Sequence, residues 1–266
     1  MKPLNKTIWI ILFAFAMGYL ESAVVIYIRA VYYPDGFAFP LKVMAPYLAI
    51  TELIREAATL IMILAVGILA AKEKLHRFAW FLIVFGIWDI AYYLFLKLLI
   101  GWPESLLTTD ILFLLPSLWT GPVIAPVINS LTMILLATII LSRRDGSILV
   151  TRLTRMEWVL LITGSVLVLI SYMKDFMGFV WDYKHSAPPG EFHWDQIMVI
   201  LPAQFVPRSF DWFIFSGGVF LHLLAIMLIS KRCTPLKHFI NKQSGNILHG
   251  RKNGRQSLKR LTGHSL

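Results

Sequence analysis

The run YLAITELIREAATLIMILAVGILAA, residues 47–71, decides the architecture. It is longer than the roughly 20 apolar residues that a bilayer core requires of a helix. Its first half carries Glu52, Arg55 and Glu56, in Thr51-Glu52-Leu53-Ile54-Arg55-Glu56-Ala57-Ala58-Thr59. A charge at the centre of a span costs about 2.5–3.5 kcal/mol on the insertion scale, so such residues turn towards protein or a water-filled cavity. Three of them in one helix predict a bundle of several spans with a polar site inside it.

The rest of the chain agrees. Its 266 residues are 58% hydrophobic and only 15% charged, with a mean hydropathy of +0.70. This composition lies outside the range of ordinary soluble domains. Further apolar runs predict six spans, at about residues 8–28, 47–71, 78–100, 122–141, 158–176 and 211–229. The expected fold is an all-α polytopic membrane helix bundle, with residues 1–230 as one transmembrane domain. One or two re-entrant or interfacial segments are expected on the outer side. Leu106 to Trp119 is one, apolar but short, with Thr108-Thr109-Asp110 read as a helix cap. Ile197 to Phe205, split by Pro202, is the other and is expected on the membrane surface. Ala14-Phe15-Ala16 resembles a signal-peptidase site, but the apolar run continues to Ile28, which favours an uncleaved first helix.

Charge sets the topology. Residues 231–266 hold nine Lys or Arg and no acid, so the net +10 less nine leaves +1 for the remainder. This is a basic cytoplasmic tail, expected to be disordered and to contact anionic lipid headgroups. It does not describe a nucleic-acid groove, and no nucleic-acid partner is expected. Lys2, Lys6, Lys72, Lys74, Arg77, Arg143, Arg144, Arg152 and Arg155 fall in alternate connections with that tail. The bias places both termini in the cytoplasm, with the plasma (inner) membrane as the expected location.

Only Glu73, Asp145 and Glu157 of the fifteen acids fall on the same side. Glu21, Glu52, Arg55 and Glu56 then occupy the outer half of the bundle, and Asp89 and His222 lie near its midplane. Gly18, Glu21, Ser22, Val25 and Arg29 form a small and polar stripe on the first helix. Glu52 and Glu56 are one turn apart, and Arg55 is within reach of Glu52. An arginine would hold one carboxylate ionised and leave the other to exchange a proton. Alternatively, Arg55 locks the second span to the first through Glu21, fixing geometry more than adding stability. Asp89, Tyr93 and Lys97 share a face of the third span, although Lys97 also suits an interfacial anchor.

The candidate catalytic residues are therefore Glu52, Glu56 and Asp89. The candidate substrate-binding residues are Arg55, Glu21, Lys97 and His222. Asp89 with His222 could form a proton relay, but one histidine and a few carboxylates are thin ligation for zinc. Glu191, His193 and Asp195 alternate along a connection, where Phe192 and Trp194 fit a membrane-surface loop better than a metal site. No metal or cofactor is expected. There is no H-E-x-x-H, C-x-x-C, G-x-S-x-G, Walker A or dinucleotide fingerprint. Three function classes follow. One is a membrane-embedded enzyme or binding protein for an amphiphilic or anionic substrate. The second is a proton- or cation-coupled carrier of small solutes. The third is an accessory subunit whose carboxylates are structural and whose partner is another membrane protein.

The topology is checked with a membrane-impermeant maleimide. Asp35→Cys in a Cys233→Ser background is expected to react in intact cells. Cys233, the single cysteine, is expected to react only after permeabilisation. The reverse pattern would invert the orientation.

Overall fold

A computed structural model describes residues 3–144, 147–148, 150, 152–186, 188 and 200–232. The readings made above for Glu191, His193 and Asp195, for residues 197–199, and for Cys233 and the tail beyond it lie outside these residues. The described chain is mostly helical. Six helices are long and apolar enough to cross a membrane: α1 (Pro3–Tyr32), α2 (Pro46–Ala70), α3 (Lys74–Ile100), α4 (Ile124–Leu141), α5 (Arg155–Ser186) and α6 (Trp212–Arg232). They are compatible with a multi-pass membrane protein. Phe213 and Leu69 lie almost fully exposed on the exterior, as a lipid-facing surface allows.

Local sequence explains the helix ends. Pro46 opens α2 at a position where no N–H is needed. Gly101 closes α3 in the left-handed conformation, with its N–H bonded to the Lys97 carbonyl. α5 starts with a reciprocal cap. The Thr154 N–H donates to Glu157 at 2.7 Å, and the Glu157 N–H donates to the Thr154 hydroxyl at 3.3 Å.

Helix α3 is the shared wall of the bundle and packs against α1, α2 and α4. Gly67 of α2 would place a Cβ 2.9 Å from the Arg77 carbonyl of α3, and two further glycines permit similar approaches. A Cβ on Gly18 of α1 would sit 2.6 Å from that of Ala91, and one on Gly86 of α3 would sit 2.9 Å from the Ser130 carbonyl of α4. The Ser22 hydroxyl lies 2.8 Å from the Gly18 carbonyl and 2.9 Å from that of Tyr92, where it joins α1 to α3.

The basic connections gather at one end. Lys6 donates to the Ala70 carbonyl, and Arg77 Nε donates to the Ala71 carbonyl at 3.0 Å. Arg232 donates to Glu157 at 2.8 Å and to the Arg152 carbonyl at 3.2 Å. Near these residues the core is apolar, with Ala79, Leu82, Leu136, Ile140, Leu161 and Ile229 packed together. Arg143–Arg144 and Ser147–Ile148 pair as a short antiparallel ladder, β3 with β4.

The opposite end differs from expectation in three places. First, Leu106 to Trp119 is largely a hairpin. β1 (Thr109–Phe113) pairs antiparallel with β2 (Trp119–Pro122), Asp110 facing Gly121 and Ile111 facing Thr120. Asp110 is thus in a strand and caps no helix. A Leu/Ile/Phe run suits a strand, and Pro116 interrupts any helix there. The hairpin packs against protein, with Leu118 and Thr120 buried. Second, α5 continues past the predicted end at Phe176 to Ser186. Its charged residues Lys174, Asp175 and Asp182 lower the hydropathy, but Phe176, Phe179, Val180 and Tyr183 recur at helical spacing. They pack on Leu118, Leu201 and Phe205. Third, the described part of Ile197 to Phe205 forms a 3-10 turn (Leu201–Ala203). Leu201 and Phe205 are buried against α5 and the hairpin, so this part lies within the protein.

Gly18→Leu is expected to destabilise the fold by about 1–3 kcal/mol, the usual range for overpacking. The check is an unfolding titration in mixed micelles, compared with Gly178→Leu as a substitution with open space around it.

Candidate functional site

A cavity of about 170 Å³ lies at the hairpin end. Its walls come from α1, α2, α3 and β1, and the 33–45 connection forms its rim. Five of the seven residues singled out from sequence line it: Glu21, Glu52, Arg55, Glu56 and Asp89. Helix periodicity explains the convergence. Glu21 and Arg29 lie two turns apart on α1, and Glu52, Arg55 and Glu56 occupy one turn of α2. Trp88, Asp89, Tyr92 and Tyr93 form the facing stripe of α3.

Arg55 is fully engaged. Its Nε donates to Glu52 at 2.7 Å and its Nη1 donates to Glu21 at 2.5 Å. One guanidinium therefore pairs with two carboxylates and ties α2 to α1, as the lock reading of this arginine expects. Glu56 is 7% exposed and points elsewhere. It accepts the backbone N–H of Leu114 at 3.0 Å, just beyond β1. Asp89 accepts the Ser130 hydroxyl of α4 at 2.7 Å. Neither Glu56 nor Asp89 has a cation in contact among the described ion pairs.

A second ion pair escaped the sequence reading. Arg29 Nη2 donates to Asp110 Oδ1 at 3.1 Å, and both residues are buried. The Arg29 guanidinium also lies 3.7 Å from the Trp102 ring centre and 4.5 Å from that of Phe37, where cation–π attraction adds to the pairing. Burial pushes the Asp110 carboxyl up to about 6, against the lowering effect of Arg29. Two buried polar atoms around the cavity have no hydrogen-bond partner, Arg29 Nη1 and Trp88 Nε1, while the Tyr92 and Tyr93 hydroxyls donate towards the Asp110 carboxylate. Buried polar groups in native proteins are normally satisfied. The sequence signal was present in part, because Arg29 belongs to the polar stripe of α1. Asp110 was hidden by its reading as a helix cap.

Lys97 and His222 lie elsewhere. Lys97 donates to the carbonyls of Gly101 and Pro103 at 3.0 and 2.8 Å and so finishes the end of α3. His222 packs between α6 and α5, its Nε2 3.2 Å from both the Leu161 carbonyl and the Ser165 hydroxyl. It forms no relay with Asp89. Asp211 caps α6 by accepting the Ile214 N–H at 3.0 Å. Its hydrogen bond from Lys174 holds its carboxyl below the usual range. Among the described residues no group of three or more His, Cys, Asp or Glu is arranged to hold a metal ion.

Beside the cavity runs a smaller groove of about 80 Å³. Leu41, Lys42, Met44, Glu52 and Leu114 border both spaces. Leu53, Leu118 and Pro202 make the rest of the groove apolar. Comparison of the chain with family models, curated proteins and solved structures finds no match.

Removing Arg55 leaves two carboxylates without their cation. Arg55→Gln is expected to lose about 1.5–3 kcal/mol, the range for hydrogen bonds to charged groups. Adding Glu21→Gln should recover part of that loss. A double-mutant cycle measured by unfolding in micelles checks the coupling, and additive losses would remove the lock.

Proposed function

We propose that this chain is a multi-pass plasma-membrane protein that acts as an embedded enzyme on an amphiphilic substrate. The polar head enters the cavity at the hairpin end, and the apolar portion lies in the adjoining groove. The observation that carries this reading is that the carboxylate-bearing cavity and the groove share the wall residues Leu41, Lys42, Met44, Glu52 and Leu114, so that carboxylates and an apolar surface adjoin. Ligand sites are typically built this way, from apolar walls and a few placed polar groups.

The roles divide by partner. Glu56 and Asp89 are the proton-exchanging groups, because they meet neutral donors only. Arg55, Glu21 and Glu52 fix the wall between α1 and α2. Beneath Trp88 the bundle is filled by Ala14, Met17, Ile63 and Val84. That apolar layer favours a blind site over a carrier's continuous path. The distribution of basic residues supports an outward-facing mouth and cytoplasmic termini. The basic tail would then meet anionic headgroups of the inner leaflet.

The test uses a long-chain alkyl diazirine with protein in nanodiscs. Photolabelling is expected to concentrate on peptides spanning 41–53 and 112–118, and Leu53→Trp should reduce it several-fold there. Even labelling over all exposed helix faces would sink the amphiphile reading. In cells, Glu56→Gln and Asp89→Asn are expected to keep normal abundance and lose the phenotype of the wild-type gene.

A further inference from the structure

The cavity holds five carboxylates, Glu21, Glu52, Glu56, Asp89 and Asp110, against the three cations Arg29, Lys42 and Arg55. Lys42 is exposed at the rim. Arg55 is taken by Glu21 and Glu52, and Arg29 by Asp110. That pairing leaves Glu56 and Asp89 facing the cavity with only an amide and a hydroxyl as donors. An acidic cluster alone defines no ligand. The independent observation is the set of unpartnered buried atoms. Asp110 is 1% exposed, and its carboxylate is paired with Arg29 and approached by the Tyr92 and Tyr93 hydroxyls. Arg29 at 9% and Trp88 at 6% leave Nη1 and Nε1 without acceptors.

These atoms ask for a ligand with a particular pattern. It must donate several hydrogen bonds to the carboxylates, and it must present an oxygen to Arg29 and Trp88. An ammonium provides three donors and the compensating charge. Trp88, Tyr92 and Tyr93 also line the cavity. An anionic head would instead add negative charge to an acidic cavity, which low dielectric makes unfavourable. A bare divalent ion is not supported, since the described carboxylates form no metal-binding group.

We propose that the substrate of this cavity is an amine-bearing amphiphile, its ammonium held by Glu56, Asp89 and Asp110 and an adjacent oxygen of its head received by Arg29 and Trp88. This rests on the amphiphile reading above and narrows it to one head chemistry.

The experiment compares three short probes of equal chain length, hexylamine, hexyl phosphate and hexanol, on the full chain in nanodiscs at neutral pH. An alkylamine with an ammonium pKa of about 10 is cationic there. Binding is read by thermal unfolding shift and by protection against the alkyl diazirine. Hexylamine is expected to bind at least tenfold more tightly than either other probe. Asp89→Asn should remove most of that preference. Glu56→Gln should do the same, and its own unfolding temperature without probe reports whether the hairpin stays seated. If hexyl phosphate or hexanol binds as well as hexylamine, the amine assignment is overturned while amphiphile binding stands. Selectivity for hexylamine that survives both substitutions also overturns it. If none of the three binds or protects, the amphiphile reading falls with it.

Discussion

Charge compensation in a low-dielectric interior is the constraint on which this structure depends. Arg55 meets it by holding Glu21 and Glu52 at once. The guanidinium fork suits such double engagement, and a lysine would not reproduce its geometry. Because Glu21 belongs to α1 and Glu52 to α2, the interaction sets the relative position of two helices that both pack on α3. Buried pairs of this kind contribute more to geometry than to net stability. Here the geometry is that of a cavity wall. The Arg29–Asp110 pair repeats the device between α1 and the hairpin. Two arginines thus fix three of the five carboxylates, and the remaining two are left to a ligand or to protons.

The packing elsewhere supports that arrangement. α3 is approached at close range on both sides through Gly18 and Gly86, so its Trp88–Tyr93 stripe has little freedom to rotate. The basic end is apolar in its core and tied by Lys6, Arg77 and Arg232 to carbonyls or to Glu157. Polar chemistry is concentrated at the other end, under the hairpin. Charged groups inside a membrane bundle are expected to face protein or a water-filled recess of this kind.

Much of this was legible in the sequence, and the reasons are specific. Length and hydropathy identified all six helices, because a span must satisfy its own backbone over about 20 residues. Helical spacing on α1 and α2 brought Glu21 to Arg55. The same rule on α3 placed Asp89 and Tyr93 in the cavity but overreached at Lys97, whose long side chain turns back to the helix terminus. Hydropathy ended α5 too early, since Lys174, Asp175 and Asp182 dilute a stretch whose buried face is aromatic. The hairpin was missed because nine apolar residues between Pro103 and Gly121, interrupted by polar residues and Pro116, fit several conformations. With it went Asp110, whose partner lies 81 positions away. Contacts of that range depend on tertiary packing and leave no local pattern. His222 was grouped with Asp89 by depth alone, and depth does not specify which helices are neighbours.

The contact between Glu56 and the Leu114 amide has a further meaning. It joins the most buried carboxylate of α2 to the far end of β1. A hydrogen bond to an ionised acceptor is roughly twice as strong as one to a neutral acceptor. The ionisation of Glu56 and the seating of the hairpin are therefore coupled, each favouring the other through this bond. Protonation of that carboxylate would weaken its hold on the strand, whereas a bound cation would leave the carboxylate ionised and the bond in place.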